Sequence, residues 1–120
     1  MKKLLLTERA LDDLQNIYDF SVEEWGEKVA LRYIQGIEEG FLLIQNNVGL
    51  LKVNKNISSR FIAYPIQKHI LICDILNDVI CILTVKQSSM NLMERLKKLQ
   101  PTLDKEAKAL LKRRGFDPFI

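Results

Sequence analysis

Residues 69–85 read HILICDILNDVICILTV. The run is apolar except at Asp74 and Asn77-Asp78. It is too long for one strand. Its polar centre denies it the roughly 18–20 apolar residues of a membrane span. Asn and Asp tolerate the positive φ that tight hairpins require. The stretch therefore reads as a hairpin, His69–Leu76 and Val79–Lys86, turned at Asn77-Asp78. A third strand, Arg60–Ile66, precedes it across Gln67-Lys68, which makes an antiparallel meander.

The turn fixes a register. Leu76 opposes Val79, so Cys73 opposes Ile82 and Cys81 opposes Asp74. Side chains alternate along a strand, which puts Cys73 and Cys81 on opposite faces. A disulfide between them is excluded by that geometry. Free thiols suit a reducing compartment, and the chain is read as cytoplasmic. One sheet face carries Arg60, Ile62, Tyr64, His69, Leu71, Cys73, Ile75, Ile80, Ile82 and Thr84. The other carries Phe61, Ala63, Pro65, Ile70, Ile72, Asp74, Val79, Cys81, Leu83 and Val85. Both faces are mostly apolar, whereas a sheet with one wet side alternates more cleanly. Each face needs a cover.

The rest of the 120 residues supplies candidates. The opening KKLLL reads as a short strand, because Thr7-Glu8-Arg9 ends the apolar run too early for a signal peptide. Thr7 is placed as an N-cap. Ala10, Leu11, Leu14, Ile17/Tyr18, Val22 and Trp25 then recur at helical spacing. Gly26 breaks the run, and Trp25 is placed as packing at the turn. A second helix follows, with Val29, Ala30, Tyr33, Ile34, Ile37, Phe41 and Ile44 on one side. It ends near Asn46-Asn47. This helical hairpin covers one sheet face. Residues 52–59 read as a polar turn. After the sheet, Asn91 and Glu94 have capping-box spacing. A short helix, Leu92–Leu99, stops before Pro101, and a last helix runs over about Leu103–Arg114. Gly115 is placed just past its end. The second face is left to this C-terminal segment, to a partner, or to both.

Charge is uneven. Residues 7–39 hold nine acids and three bases, and residues 95–114 hold eight bases and two acids. The basic segment suits nucleic acid, an acidic partner or the chain's own acidic helices. Lys105, Lys108, Lys112, Arg113 and Arg114 also favour a helix C-terminus as plain solvated side chains. No CxxC occurs and His69 is the only histidine, so no metal and no cofactor are called for.

Two stretches carry a resemblance. LTERALDDLQNIYDFSVEEWGEKVALRYIQGIEEGF, residues 6–41, has Ala-x-x-Asp-Leu-x-x-Ile and a Trp-Gly before the second helix. RFIAYPIQKHILICDILNDVICILTVKQSSMNLMERL, residues 60–96, opens one strand with Arg60 and the next with His69, and closes with Met90 and a short helix. In that order they resemble the ParE toxins of the ParE/RelE toxin–antitoxin superfamily. The implied fold is α+β and RelE/ParE-like: N-terminal strand, helical hairpin, three-stranded antiparallel meander and C-terminal helices. Residues 1–99 form the toxin domain, and residues 100–120 a basic extension of it.

The resemblance implies a toxin neutralised by an antitoxin whose C-terminal segment covers apolar toxin surface. Arg60, Ile62, Tyr64, His69 and Leu71 are the partner-binding candidates. Lys105, Lys108, Lys112, Arg113 and Arg114 are the target-binding candidates. ParE members poison DNA gyrase; RelE members cut mRNA on the ribosome. A ribonuclease needs several cations and a base on one sheet face. Here that face offers Arg60 and His69 only. Ser88 stands where an Arg is frequent, Glu94 where a Tyr is, and Gln87 where ParE toxins often carry a His. Gyrase inhibition by binding is the reading these departures favour. A ribonuclease using Arg60 and His69, or a non-toxic binding module, are the alternatives.

Overall fold

The computed structural model describes residues 2–51, 53, 60–76, 78–89 and 91–115. Most of the turn-like run at 52–59, Asn77 and the tail at 116–120 lie outside the described residues. Strand β1 (Lys3–Leu6) leads into helices α1 (Glu8–Trp25) and α2 (Glu27–Asn46) and a 3-10 turn (Val48–Leu50). Strands β2 (Ile62–Ile66), β3 (His69–Leu76) and β4 (Val79–Gln87) follow, then helix α3 (Leu92–Arg113). The sheet order is β1-β4-β3-β2, with β1 parallel to β4 and the meander antiparallel. This is the α+β arrangement expected from the sequence.

Local chemistry sets the boundaries. The Thr7 hydroxyl accepts the Ala10 N–H at 3.1 Å as the α1 N-cap, and donates to the Leu83 carbonyl at 2.9 Å. Gly26 adopts φ 88°, a conformation costly for any other residue, and joins α1 to α2 without a loop. Gly36 and Gly40 let α2 lie close on the β2–β3 turn. A Cβ at Gly40 would meet Ile66 Cδ1 at 2.8 Å.

The register matches expectation from Leu76↔Val79 to Cys73↔Ile82, with Asp74 opposite Cys81. It then slips by one residue. Ile72 pairs with Thr84, leaving Leu83 as the extra residue of a β-bulge. Val85, expected on the second face, therefore joins the helical-hairpin core, and Gln87 rather than Lys86 stands opposite His69. Helix α1 satisfies the bulge. Besides the Thr7 bond to the Leu83 carbonyl, Asp13 accepts from the Thr84 hydroxyl and from the Val85 N–H at 3.0 Å.

Two cores result. The helical hairpin packs Ala10, Ile37, Phe41 and Ile44 on Ile62, Leu71, Cys73, Ile80 and Ile82. On the opposite face α3 packs Leu92, Leu96, Leu103, Ala107 and Leu110 on Phe61, Ile72, Cys81 and Leu83. Both cysteines are free and buried, one in each core.

The C-terminal segment departs from expectation in two ways. It is one helix through Pro101, not two helices broken there. Pro101 removes one N–H and the hydrogen bond it would give to the Lys97 carbonyl. The unbroken stripe of Leu92, Leu96, Leu99, Leu103, Ala107 and Leu110 outweighs that loss by packing on the sheet. Asn91 gives no side-chain cap, so the capping box does not form. Gly115 does follow the helix at φ 83°.

Replacing Leu103→Ala should cost about 2–5 kcal/mol of unfolding free energy, since it empties the centre of the second core. Pro101→Ala, on the exposed side of α3, should stabilise by about 1–3 kcal/mol. Urea denaturation of both variants checks the pair. A destabilising Pro101→Ala would contradict the continuous helix.

Candidate partner-binding site

One end of the helical hairpin does not close on the sheet. An open cleft of about 540 Å³ lies there, lined by α1, the start of α2, the β2–β3 turn and the end of β4. Phe20, Trp25 and Val29 form its outer wall and are 55%, 59% and 42% exposed. Trp25 does not pack into the hairpin turn as expected. It meets Phe20 edge-on, ring centroids 6.0 Å apart, at the mouth of the cleft. The α1 stripe that turns inward is Ala10, Leu14, Ile17 and Ser21, so Leu11 and Trp25 are left outside. Exposed aromatic pairs of this kind are unusual on a free surface and suit a partner.

The inner wall holds Tyr33 and His69. The Tyr33 hydroxyl lies 2.7 Å from His69 Nδ1 and accepts the Lys68 N–H at 3.3 Å. Burial lowers the His69 pKa and raises that of Tyr33, whose bond from Lys68 opposes the rise. Both groups stay neutral near pH 7. In the tautomer with Nδ1 unprotonated, the imidazole accepts the Tyr33 proton. Asp13 and Lys86 form the polar rim, paired at 3.5 Å.

Arg60 lies elsewhere. It reaches across the α3 face to Asp74, at 2.8 Å, and to Asp104 of α3. Asp74 stands on β3, an inner strand, and its carboxylate is fully buried. Burial raises the Asp74 pKa, and Arg60 opposes the rise. Burial pulls Arg60 down, but Asp74 and Asp104 outweigh it and hold the guanidinium above its usual value. The acidic partners come from β3 and α3, not from α1 or α2. The two thiols are pushed up to about 12, by burial first and then by the Asp74 charge, so neither is a nucleophile near neutral pH.

The five expected partner-binding residues thus share no surface. Ile62 and Leu71 are buried under the helical hairpin, Tyr64 is half-buried beside them, His69 lines the cleft, and Arg60 faces α3. His69 and Asp74, the partner of Arg60, are five residues apart on β3, about 17 Å. No convergent base and cation are formed by Arg60 and His69. Of the expected target-binding residues, Lys105 and Lys112 are exposed on α3, Lys108 pairs with Asp104 at 3.0 Å, and Arg113 approaches Glu8 at 3.8 Å. Arg114 is the α3 C-cap. Trp25 was placed at the hairpin turn and Val29 on the second helix's apolar side, and Phe20 was given no place. Their place at an uncovered hairpin end had no signal in helical spacing.

Because burial lowers the His69 pKa, the unfolded chain protonates this ring before the folded one does. Stability from the neutral ring is intact above the usual value of 6.5 and falls as pH drops from there toward the lowered folded value. His69→Gln should flatten that fall, seen as urea midpoints between about pH 7.5 and 5. An unchanged slope would show that the ring titrates as if in water.

Among the described residues, no helix is long and apolar enough to cross a membrane. No curated protein matches the chain in sequence. Its fold is similar to a chain of the chromosomal ParDE TA system from P. aeruginosa, with a TM-score of 0.67 and 22% identity. That likeness covers 74% of this chain and 98% of the other. Residues 4–92 match the family described as the ParE toxin of type II toxin-antitoxin system, parDE. That span holds all of β1 but Lys3, the helical hairpin, the meander and the whole cleft, and the chain belongs to the ParE toxin family.

Proposed function

We infer that this ParE-type toxin inhibits DNA gyrase by binding it, and that a cognate antitoxin silences the toxin through the cleft at Trp25. The separation of Arg60 from His69 carries the first half of this reading. Phosphoryl transfer needs a base and charge-stabilising donors converging on one phosphate. Here Arg60 is held by Asp74 and Asp104 on one side of the sheet, while His69 bonds Tyr33 on the other. Glu94, where a Tyr is frequent in the nucleases, is exposed on α3. With Arg60 and His69 apart among the described residues, action by occupying a target is the reading the geometry supports.

The exposed Phe20, Trp25 and Val29 support the second half. A partner segment that buries them completes the hairpin end as a hydrophobic anchor with a polar rim at Asp13, Lys68 and Lys86. His69 belongs to this surface, whereas Ile62 and Leu71 lie in the helical-hairpin core.

Purified toxin added to gyrase, relaxed plasmid and ATP should reduce supercoiling and trap cleaved DNA, and antitoxin should reverse both. Full supercoiling, together with transcripts cut in translating extracts, would overturn the gyrase reading in favour of a ribonuclease. Trp25 is the only tryptophan, so its emission reports the cleft directly. Antitoxin binding should shift it to shorter wavelength, and Trp25→Ala should weaken binding by about 1–3 kcal/mol. An unshifted spectrum in the formed complex would place the antitoxin elsewhere.

A further inference from the structure

Helix α3 closes the sheet with one side and presents a separate chemistry on the other. At 100° per residue, Lys97, Lys98, Lys105, Lys108 and Lys112 fall within about 100° of arc, opposite the buried leucine stripe. From Lys97 to Lys112 the row is about 22 Å long, because the helix is continuous through Pro101. Lys97, Lys98, Lys105 and Lys112 are exposed, and Lys108 pairs with Asp104 at its edge. Asp104 and Glu106 turn to the flanks, where they bond Arg60 and Arg9. Glu94 is the one acid on the arc, at its N-terminal start. The row lies beyond residue 92, outside the family match.

We propose that the outer face of α3 is a docking surface for the phosphate backbone of duplex DNA. Duplex DNA presents about one negative charge per 1.7 Å of axis, which a straight row of lysines meets without side-chain precision. The face has no aromatic residue on which single-stranded bases would stack. Nor does it hold the large apolar anchors on which a tight protein interface depends. The core beneath fixes the helix, so docking orders no backbone. This surface is independent of the gyrase reading, since binding to DNA alone needs no topoisomerase.

Fluorescence anisotropy of a labelled short DNA duplex, titrated with the full chain at several salt concentrations, tests the proposal. Saturable binding is expected at low salt, with log affinity falling against log salt at a slope of about −4. The variant carrying Lys97→Glu, Lys98→Glu, Lys105→Glu and Lys112→Glu should bind about tenfold or more weakly. Circular dichroism shows whether it is folded; if it is not, the matching Lys→Gln variant takes its place. Lys28→Glu with Arg32→Glu, on α2, should leave binding unchanged. Absence of binding at low salt, or full binding by the folded fourfold variant, would overturn the proposal. Equal competition by single-stranded DNA or polyglutamate would overturn it also, and tighter binding to duplex RNA would reassign the phosphates to RNA.

Discussion

The β3–β4 pair has no side that tolerates water. Leu71, Cys73, Ile80 and Ile82 point one way, and Ile72, Cys81 and Leu83 the other, all essentially buried. At about 25 cal/mol per Å² of apolar surface, neither face is left open without a large loss. Everything else in the molecule follows from closing both. The helical hairpin is joined to β1, and β1 pairs in parallel with β4, which delivers α1 and α2 to one face. Only α3 remains for the other. The Arg60–Asp74–Asp104 link then joins the buried strand to the helix that covers it, and Arg9–Glu106 joins that helix to α1. Breaking such a pair by removing one partner leaves an uncompensated buried charge.

Among the described residues, closure is incomplete at the cleft beside Trp25. The hairpin helices cross the sheet at an end where the bulge has shifted β4, and the gap between them becomes the cleft below Trp25 and Phe20. Along its wall Tyr33 bonds His69, and Asp13 bonds the Val85 N–H and pairs with Lys86. What the cleft lacks is an apolar cover.

Much of this was legible in the residues. Asn77-Asp78 set the hairpin and its register, the register set the two cysteines apart, and the apolar content of both faces demanded two covers. The Thr7 cap and the Gly26 break were equally plain, because each solves a local backbone problem. Three features were not legible. The bulge at Leu83 depends on Thr7 and Asp13, which lie far away in sequence and satisfy groups that a regular ladder would have paired. Pro101 signalled a break, although the leucine stripe runs through it at spacings of three and four, and packing outweighed propensity. Asp74 stood on an apolar face with no partner in view, because Arg60 is separated from it by a whole strand and a turn.

The central claim is that α3 is the structural cover of the sheet's second face. Ending the chain after Leu99 removes Leu103, Ala107 and Leu110 together with Asp104, and exposes Phe61, Ile72 and Leu83. The direct measurement is equilibrium unfolding of this truncated chain beside the full one, with dye binding to exposed apolar surface. The account predicts a lost or much weakened cooperative transition and strong dye binding. A truncated chain that unfolds cooperatively at the same midpoint, without binding dye, would contradict it.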